Sequence, residues 1–227
     1  MSFFEPPPPP DPPEFPAIPR PPPWSQAPTN ELGAPVPLRL VLARTDRVAV
    51  ALVGAVAYTS GTAFTLAVRW QQPSGDALIG EPWELPFGHH HLLEQRGGGV
   101  PLEVLRFGVQ FSDGRKATTL SGTFPFTRPG EPEEEQHGPV LSPGGGGGGP
   151  GHWDSEFWLW PLPPAGPVKL AVEWPKEDIE LTMREVDAAV FLEASKKSEV
   201  LWPEQGGGEA GSVSQIVLRS EGETPSG

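Results

Sequence analysis

The chain has 227 residues, a formal net charge of −13 and no cysteine. The absence of cysteine excludes disulfides, thiolate zinc sites and a cysteine nucleophile, and it is consistent with a reducing cytoplasm. The negative charge repels phosphate backbones and anionic lipid, so we expect no nucleic-acid partner and no membrane partner.

The first segment, residues 1–36, is predicted to be a proline-rich arm that is either disordered or docked on the domain. Its proline runs, Pro6–Pro10 and Pro21–Pro23, favour polyproline II and keep the arm out of a sheet interior. Pro16–Arg20 matches a PxxP-like ligand, although a stiff tether explains the same composition. Aromatic residues such as Trp24 favour docking. The N-terminus lacks the basic and apolar regions of a secretory signal, which predicts a cytoplasmic protein.

Apolar residues at a spacing of two predict a mainly β domain over residues 37–204, an antiparallel β-sandwich that is immunoglobulin-like or a similar two-sheet fold. Tight links between the first three strands predict a meander. Asp113-Gly114 predicts a type I′ hairpin turn between the fourth and fifth strands. The predicted strands are Leu38–Leu42, Val48–Tyr58, Ala63–Trp70, Leu102–Phe111, Arg115–Leu120, Phe157–Leu162 and Val168–Trp174.

Three further segments complete the predicted organisation. Residues 128–151 are predicted to be a flexible linker, because their glutamates and the run Gly144–Gly149 bury too little apolar surface to order themselves. One C-terminal amphipathic α-helix is predicted at about 183–201, since Thr182 and Glu185 form a capping-box pattern before apolar residues at helical spacing. Residues 205–227 are predicted to be a flexible glycine-rich tail, in which 213–218 is a candidate edge strand.

A tryptophan-rich stretch supplies the candidate ligand-binding residues Trp153, Trp158 and Trp160. On a strand, Trp158 and Trp160 share one face, while Phe157 and Leu159 share the other. One face forms the core, and the second is either covered by the helix or the arm or left open. An open pair of indoles suits a sugar ring or a proline-rich peptide.

Polar clusters give weaker candidates. His89 and His91 point to the same side of an extended chain and are the candidate metal ligands, but their spacing fits no standard zinc pattern, so an exposed loop is the alternative. No phosphate loop, HExxH or nucleophile-elbow motif is present, and we predict no catalytic residue and no cofactor. The alternative to this prediction is general acid–base work by four acidic residues before the predicted helix, Glu173, Glu177, Asp178 and Glu180.

The segments Leu42–Val50, Phe107–Thr118 and Trp153–Pro164 resemble a family of uncharacterised actinobacterial proteins. The resemblance spans about residues 38–204. It implies a bacterial cytosolic setting and one continuous domain, and it transfers no catalytic or binding residues.

Three functions from different classes follow from these observations. A non-catalytic interaction or accessory protein would contact a protein partner through the proline-rich arm or the tryptophan-rich surface. A carbohydrate- or small-ligand-binding module would use Trp158 and Trp160. A hydrolase would use carboxylates or a histidine-bound metal, and we expect the first of the three.

Overall fold

The computed structural model describes residues 21–71, 86–87, 100–120 and 138–202, and residues 21–203 form one compact unit. These residues contain twelve strands, one 3₁₀ turn at Pro175–Glu177 and one α-helix. The strands are β1 Glu31–Leu32, β2 Ala34–Val36, β3 Leu40–Arg44, β4 Val48–Ala57, β5 Thr62–Trp70, β6 Arg106–Gln110, β7 Lys116–Thr118, β8 Val140–Gly149, β9 His152–Trp160, β10 Pro167–Trp174, β11 Ile179–Asp187 and β12 Glu199–Val200, and α1 is Ala189–Ser195.

The strands form two main sheets and a small ribbon, and every strand pair is antiparallel. The larger sheet has the order β2-β4-β5-β9-β8, and β3 pairs with the other half of β4. The smaller sheet has the order β11-β10-β6-β7, and β1 pairs with β12. This arrangement confirms the predicted mainly β, antiparallel sandwich with one helix, and it includes the β3-β4-β5 meander.

The core lies between the two sheets and is built from the apolar side chains that alternate along each strand. Phe64 on β5 meets Phe107 on β6 edge to face, with ring centroids 6.4 Å apart. Phe107 also contacts Phe157 on β9 at 5.6 Å, and Phe191 of α1 packs on Phe64 at 5.7 Å. The helix therefore adds an aromatic side chain to the same core.

The predicted hairpin at Asp113-Gly114 is present, but its turn differs from the prediction. A type I′ turn needs positive φ at both central residues, whereas Gly114 has φ +89° and Asp113 is not in the positive-φ region. Gly114 N–H donates to Phe111 O, and Phe111 N–H donates to Arg115 O. The connection is therefore a three-residue loop with glycine at its left-handed position.

The predicted helix at 183–201 is wrong over most of its length. Residues 179–187 form the edge strand β11, and the helix is confined to Ala189–Ser195. Met183 is 51% exposed, so the apolar residues that suggested a helical face do not share one. Pairing with β10 through Val168–Val186 and Ala171–Met183 supplies the backbone hydrogen bonds instead.

The predicted flexible linker is wrong for residues 140–149, which form strand β8. The glycine run pairs with β9 through Gly146–Ser155 to Gly149–His152. Main-chain pairing orders this run, because the ladder needs N–H and C=O groups and no side chain. The turn after the strand has Gly151 at φ +77°.

The predicted arm at 1–36 extends too far. Residues 31–36 supply the strands β1 and β2, and Ala34 and Val36 are buried in the core. Residues 22–25 also dock on the domain, through hydrogen bonds from Ser142 and Trp158. Residues 1–20, the histidine run with His89 and His91, and the candidate strand 213–218 lie outside the described residues.

In the part of the chain that the structure describes, no helix combines the length and the apolar character that a bilayer crossing requires.

Candidate functional site

Strand β9 buries residues on both of its faces. Phe157 and Leu159 point into the core between the sheets. Trp158 points to the outer face of the larger sheet, yet it is only 4% exposed, and Trp160 is half-buried. Trp153, also half-buried, packs against the core and donates from Nε1 to Ser155 Oγ at 2.8 Å. The three predicted residues therefore do not form one open platform.

A short segment of the arm covers Trp158. Residues 22–25, which we call the Pro–Trp turn, form a closed turn in which Ser25 N–H and Ser25 Oγ both donate to Pro22 O, at 2.9 and 2.7 Å. Trp24 and Ser25 are buried. The second face of β9 is thus covered by the arm, one of the two covers that the sequence left open, and not by the helix.

The domain holds this turn through two hydrogen bonds to main-chain carbonyls. Trp158 Nε1 donates to Pro23 O at 2.9 Å, and Ser142 Oγ donates to Trp24 O at 3.0 Å. Ser142 on β8 lies directly opposite Trp158 in the β8–β9 register. Proline offers a carbonyl acceptor but no N–H, so the two side-chain donors, Trp158 Nε1 and Ser142 Oγ, suit the carbonyls of this segment.

Tyr58 packs against the indole that holds the turn. Its ring meets the Trp158 indole edge to face, with centroids 5.6 Å apart and planes at 78°. Burial raises the pKa of the Tyr58 hydroxyl above its ordinary value, and the nearby carboxylates of Glu31 and Glu156 raise it further. Tyr58, Ser142 and Trp158 together form what we call the indole site.

Two neighbours of the indole site fix its shape. The buried carboxylate of Glu31 accepts from Thr59 N–H at 2.6 Å and from Thr59 Oγ1 at 2.7 Å, which anchors the β4–β5 turn. Gly61 in that turn lies against the indole, since a Cβ there would sit 2.6 Å from Trp158 Cζ2. The indole can occupy this position only because residue 61 has no side chain.

A second feature is the apolar surface of the β1–β12 ribbon. The pairing is closed by Leu201 N–H donating to Asn30 O and by Asn30 Nδ2 donating to Trp202 O at 2.9 Å. Of the tryptophans within the described residues, only Trp202 is exposed, at 63%. Four exposed apolar side chains on or beside this ribbon form what we call the ribbon cluster, Leu32, Val200, Leu201 and Trp202.

Three of the four acidic residues considered for catalysis, Glu173, Glu177 and Asp178, lie within ion-pair distance of arginines. Glu173 is ion-paired with Arg106, and Asp178 with Arg47 at 3.0 Å. Within the described ranges, no group of three or more histidine, aspartate or glutamate side chains is placed to hold a metal ion.

Sequence reasoning missed Tyr58 and Ser142 as site residues. Ser142 fell in the predicted linker, and nothing in its neighbours indicates a strand, because glycine follows Pro143 without interruption. Tyr58 is the only tyrosine of the chain, and its place at the end of β4 was predicted, but its partner across the sheet was not. The ribbon cluster was missed because both of its strands are two residues long.

No protein-family model matches the sequence, and no curated protein or solved structure is significantly similar to this chain.

Proposed function

We propose that this protein is a non-catalytic interaction domain that binds a protein partner through the ribbon cluster. The observation that carries the proposal is the exposure of Trp202, which is 63% exposed while every other described tryptophan is buried or half-buried. Leaving an indole in water forgoes the free energy of burying it, and tryptophan is enriched among the residues that dominate binding at protein interfaces.

The neighbours of Trp202 support the same proposal. Leu32 is 56% exposed and Val200 51% exposed, and both lie in the paired strands of the ribbon. A local concentration of exposed apolar side chains marks an interaction surface more often than scattered single residues do. The formal charge of −13 favours a partner whose surface is basic, because complementary charge speeds the encounter.

Capture of partners from lysate of the source cells by the immobilised full-length chain tests the proposal. We compare the unchanged protein with Trp202→Ala and quantify each captured protein by mass spectrometry. At least one captured protein should fall by roughly tenfold or more, since truncating an interface hot spot costs about 2 kcal/mol or more. The melting temperature should stay nearly unchanged, because Trp202 is largely in water.

Val53→Ala is the matched control, because Val53 is an exposed apolar residue, 41% exposed, on β4 of the larger sheet. It should leave the captured set unchanged. The proposal fails if Trp202→Ala and Val53→Ala capture the same proteins in the same amounts, or if no captured protein depends on Trp202.

A further inference from the structure

The contact between the Pro–Trp turn and the indole site has the form of peptide recognition. Both hydrogen bonds run from side chains of the domain, Trp158 Nε1 and Ser142 Oγ, to carbonyls of the turn, Pro23 O and Trp24 O. Residues 21–25 pair with none of the described strands. The turn is therefore held as a ligand is held, by donors for its carbonyls and by burial of Trp24.

The turn can leave the domain without losing its own structure. Its internal hydrogen bonds, both to Pro22 O, involve only residues of the turn itself. Pro22 and Pro23 have no N–H that departure would leave unpaired. Departure exposes Trp24, which is buried, and breaks the hydrogen bonds from Trp158 and Ser142, and the same two donors on another molecule can form these hydrogen bonds again.

The site, in contrast, is built on rigid elements. Ser142 and Trp158 lie on the paired strands β8 and β9, and Tyr58 directly follows β4. Such a surface keeps its shape when the turn leaves, which is the condition for binding the same segment from another molecule.

We propose that Tyr58, Ser142 and Trp158 form a recognition site for a proline–tryptophan peptide, and that a second copy of this chain supplies this peptide when the turns of two copies exchange. A second copy is the occupant because it carries the identical segment, so each contact made within one chain can be remade between two. Five residues, 26–30, join the turn to β1, and an extended chain of that length reaches about 17 Å.

The covalent connection keeps the site closed within one copy at low concentration. A short flexible linker gives the tethered segment an effective concentration of the order of millimolar. A free peptide or a second copy below that concentration therefore competes poorly with the chain's own turn. Weakening the turn in one copy should open its site.

The first experiment adds a free peptide with the sequence of residues 21–26, Pro-Pro-Pro-Trp-Ser-Gln, to the full-length Trp24→Ala protein. We expect saturable one-to-one binding by calorimetry, at least roughly tenfold tighter than to the unchanged protein, and a higher melting temperature of the variant. The same peptide with alanine in place of tryptophan should not bind. A folded Trp24→Ala protein that does not bind the peptide would overturn the proposed site.

Val53→Ala is the control, because it also truncates an apolar side chain of the same sheet, one that is 41% exposed, and leaves the turn in place. It should bind the peptide as weakly as the unchanged protein does. Equal binding to all three proteins would overturn the proposal. If Trp24→Ala does not fold, Trp24→Phe retains an aromatic ring in the turn, and it too should bind the peptide more tightly than the unchanged protein.

The second experiment identifies the second copy as the occupant. Trp24→Ala keeps the site and loses the ligand, whereas Trp158→Phe keeps the ligand and loses the indole donor. Each variant alone should be mainly monomeric by native mass spectrometry, and the mixture should contain a one-to-one complex. Absence of that complex, with the peptide bound in the first experiment, would overturn exchange between copies. Because neither experiment depends on Trp202, failure here is distinguishable from failure of the ribbon cluster.

Discussion

The two faces of strand β9 are buried in different ways. On the inner face, Phe157 and Leu159 meet apolar side chains of both sheets, and Leu159 is fully buried. On the outer face, Trp158 is covered by a turn that is fixed by two hydrogen bonds to its carbonyls. The inner face is closed by elements that the whole fold holds in place, and the outer face by a turn that side chains of β8 and β9 hold through its carbonyls.

This difference sets how much each face contributes to stability. A side chain lost from the inner face leaves a cavity, because neither sheet can collapse onto it. A side chain lost from the Pro–Trp turn weakens a contact that can open as a unit. The loss of stability on the outer face is therefore limited to the free energy with which the turn docks.

The largest effect should follow Phe64→Ala on the inner face. Phe64 is 1% exposed and contacts both Phe107 and Phe191, so the free energy of unfolding should fall by about 3–5 kcal/mol. Urea denaturation followed by circular dichroism measures the change. Val53→Ala on the same sheet is the control. It should lower the free energy of unfolding by much less, since Val53 is 41% exposed. Similar losses for the two variants would contradict a core between the sheets.

Trp24→Ala should have the next largest effect. The free energy of unfolding should fall by roughly 2–3 kcal/mol, which is the transfer free energy of a buried apolar side chain. No cavity contribution is added, because the turn can detach. The same denaturation experiment checks it. Adding Ser142→Ala to Trp24→Ala should then lower stability by less than Ser142→Ala alone does, since the turn is already undocked. Fully additive losses would show that the turn does not open as a unit.

Two glycines of β8, at the edge of the larger sheet, differ in the space that surrounds them. A Cβ on Gly148 would lie within 3 Å of His152 O and 2.8 Å from Trp153 Cα, whereas a Cβ on Gly147 would meet no atom within 4 Å. Gly148→Val should therefore destabilise by about 1–3 kcal/mol. Gly147→Val should be neutral or stabilise by up to about 1 kcal/mol, because valine favours a strand. Equal melting temperatures for the two variants would contradict the packing of Trp153 on this strand.

The smallest expected effect concerns the pKa of Tyr58. Burial, Glu31 and Glu156 raise this pKa in the folded protein above the unfolded value of about 10. The resulting contribution to stability is complete below pH 10 and is lost as the pH rises through the folded pKa. Because Tyr58 is the only tyrosine, tyrosinate absorbance reports it alone. The midpoint should lie above 10 and should fall slightly in Glu156→Gln, and a midpoint at or below 10 would contradict the burial of Tyr58.

Period-two spacing located the strands whose faces differ most in polarity. β4, β5 and β10 follow the predicted segments closely, because one face of each packs in the core. β9, in contrast, begins five residues before the predicted segment Phe157–Leu162 and ends two residues before its end. The pattern misled at β11, where Leu181 and Met183 are 59% and 51% exposed. An edge strand with apolar residues in water has no clean alternation, and Thr182 and Glu185 there imitate a helix start.

The parts that sequence reasoning did not predict depend on the backbone and on distant pairs. Gly144–Gly149 carries no side-chain pattern, yet β9 offers it a ladder of main-chain partners. The hydrogen bond from Trp158 Nε1 to Pro23 O joins residues 135 positions apart. An indole on the outer face of a strand predicts that another segment covers it. Which segment does so depends on the topology of the whole fold, and local periodicity carries no information about it.

The ribbon also bears on the order in which the domain assembles. The hydrogen bond from Asn30 Nδ2 to Trp202 O joins residues 172 positions apart, and β1 and β12 contribute only two residues each. Closing so long a loop has an entropic cost that a two-residue ladder cannot offset by itself. The ribbon therefore forms late in folding, once the sheets have brought its ends together, and its amides should be among the first to exchange with solvent in the folded state.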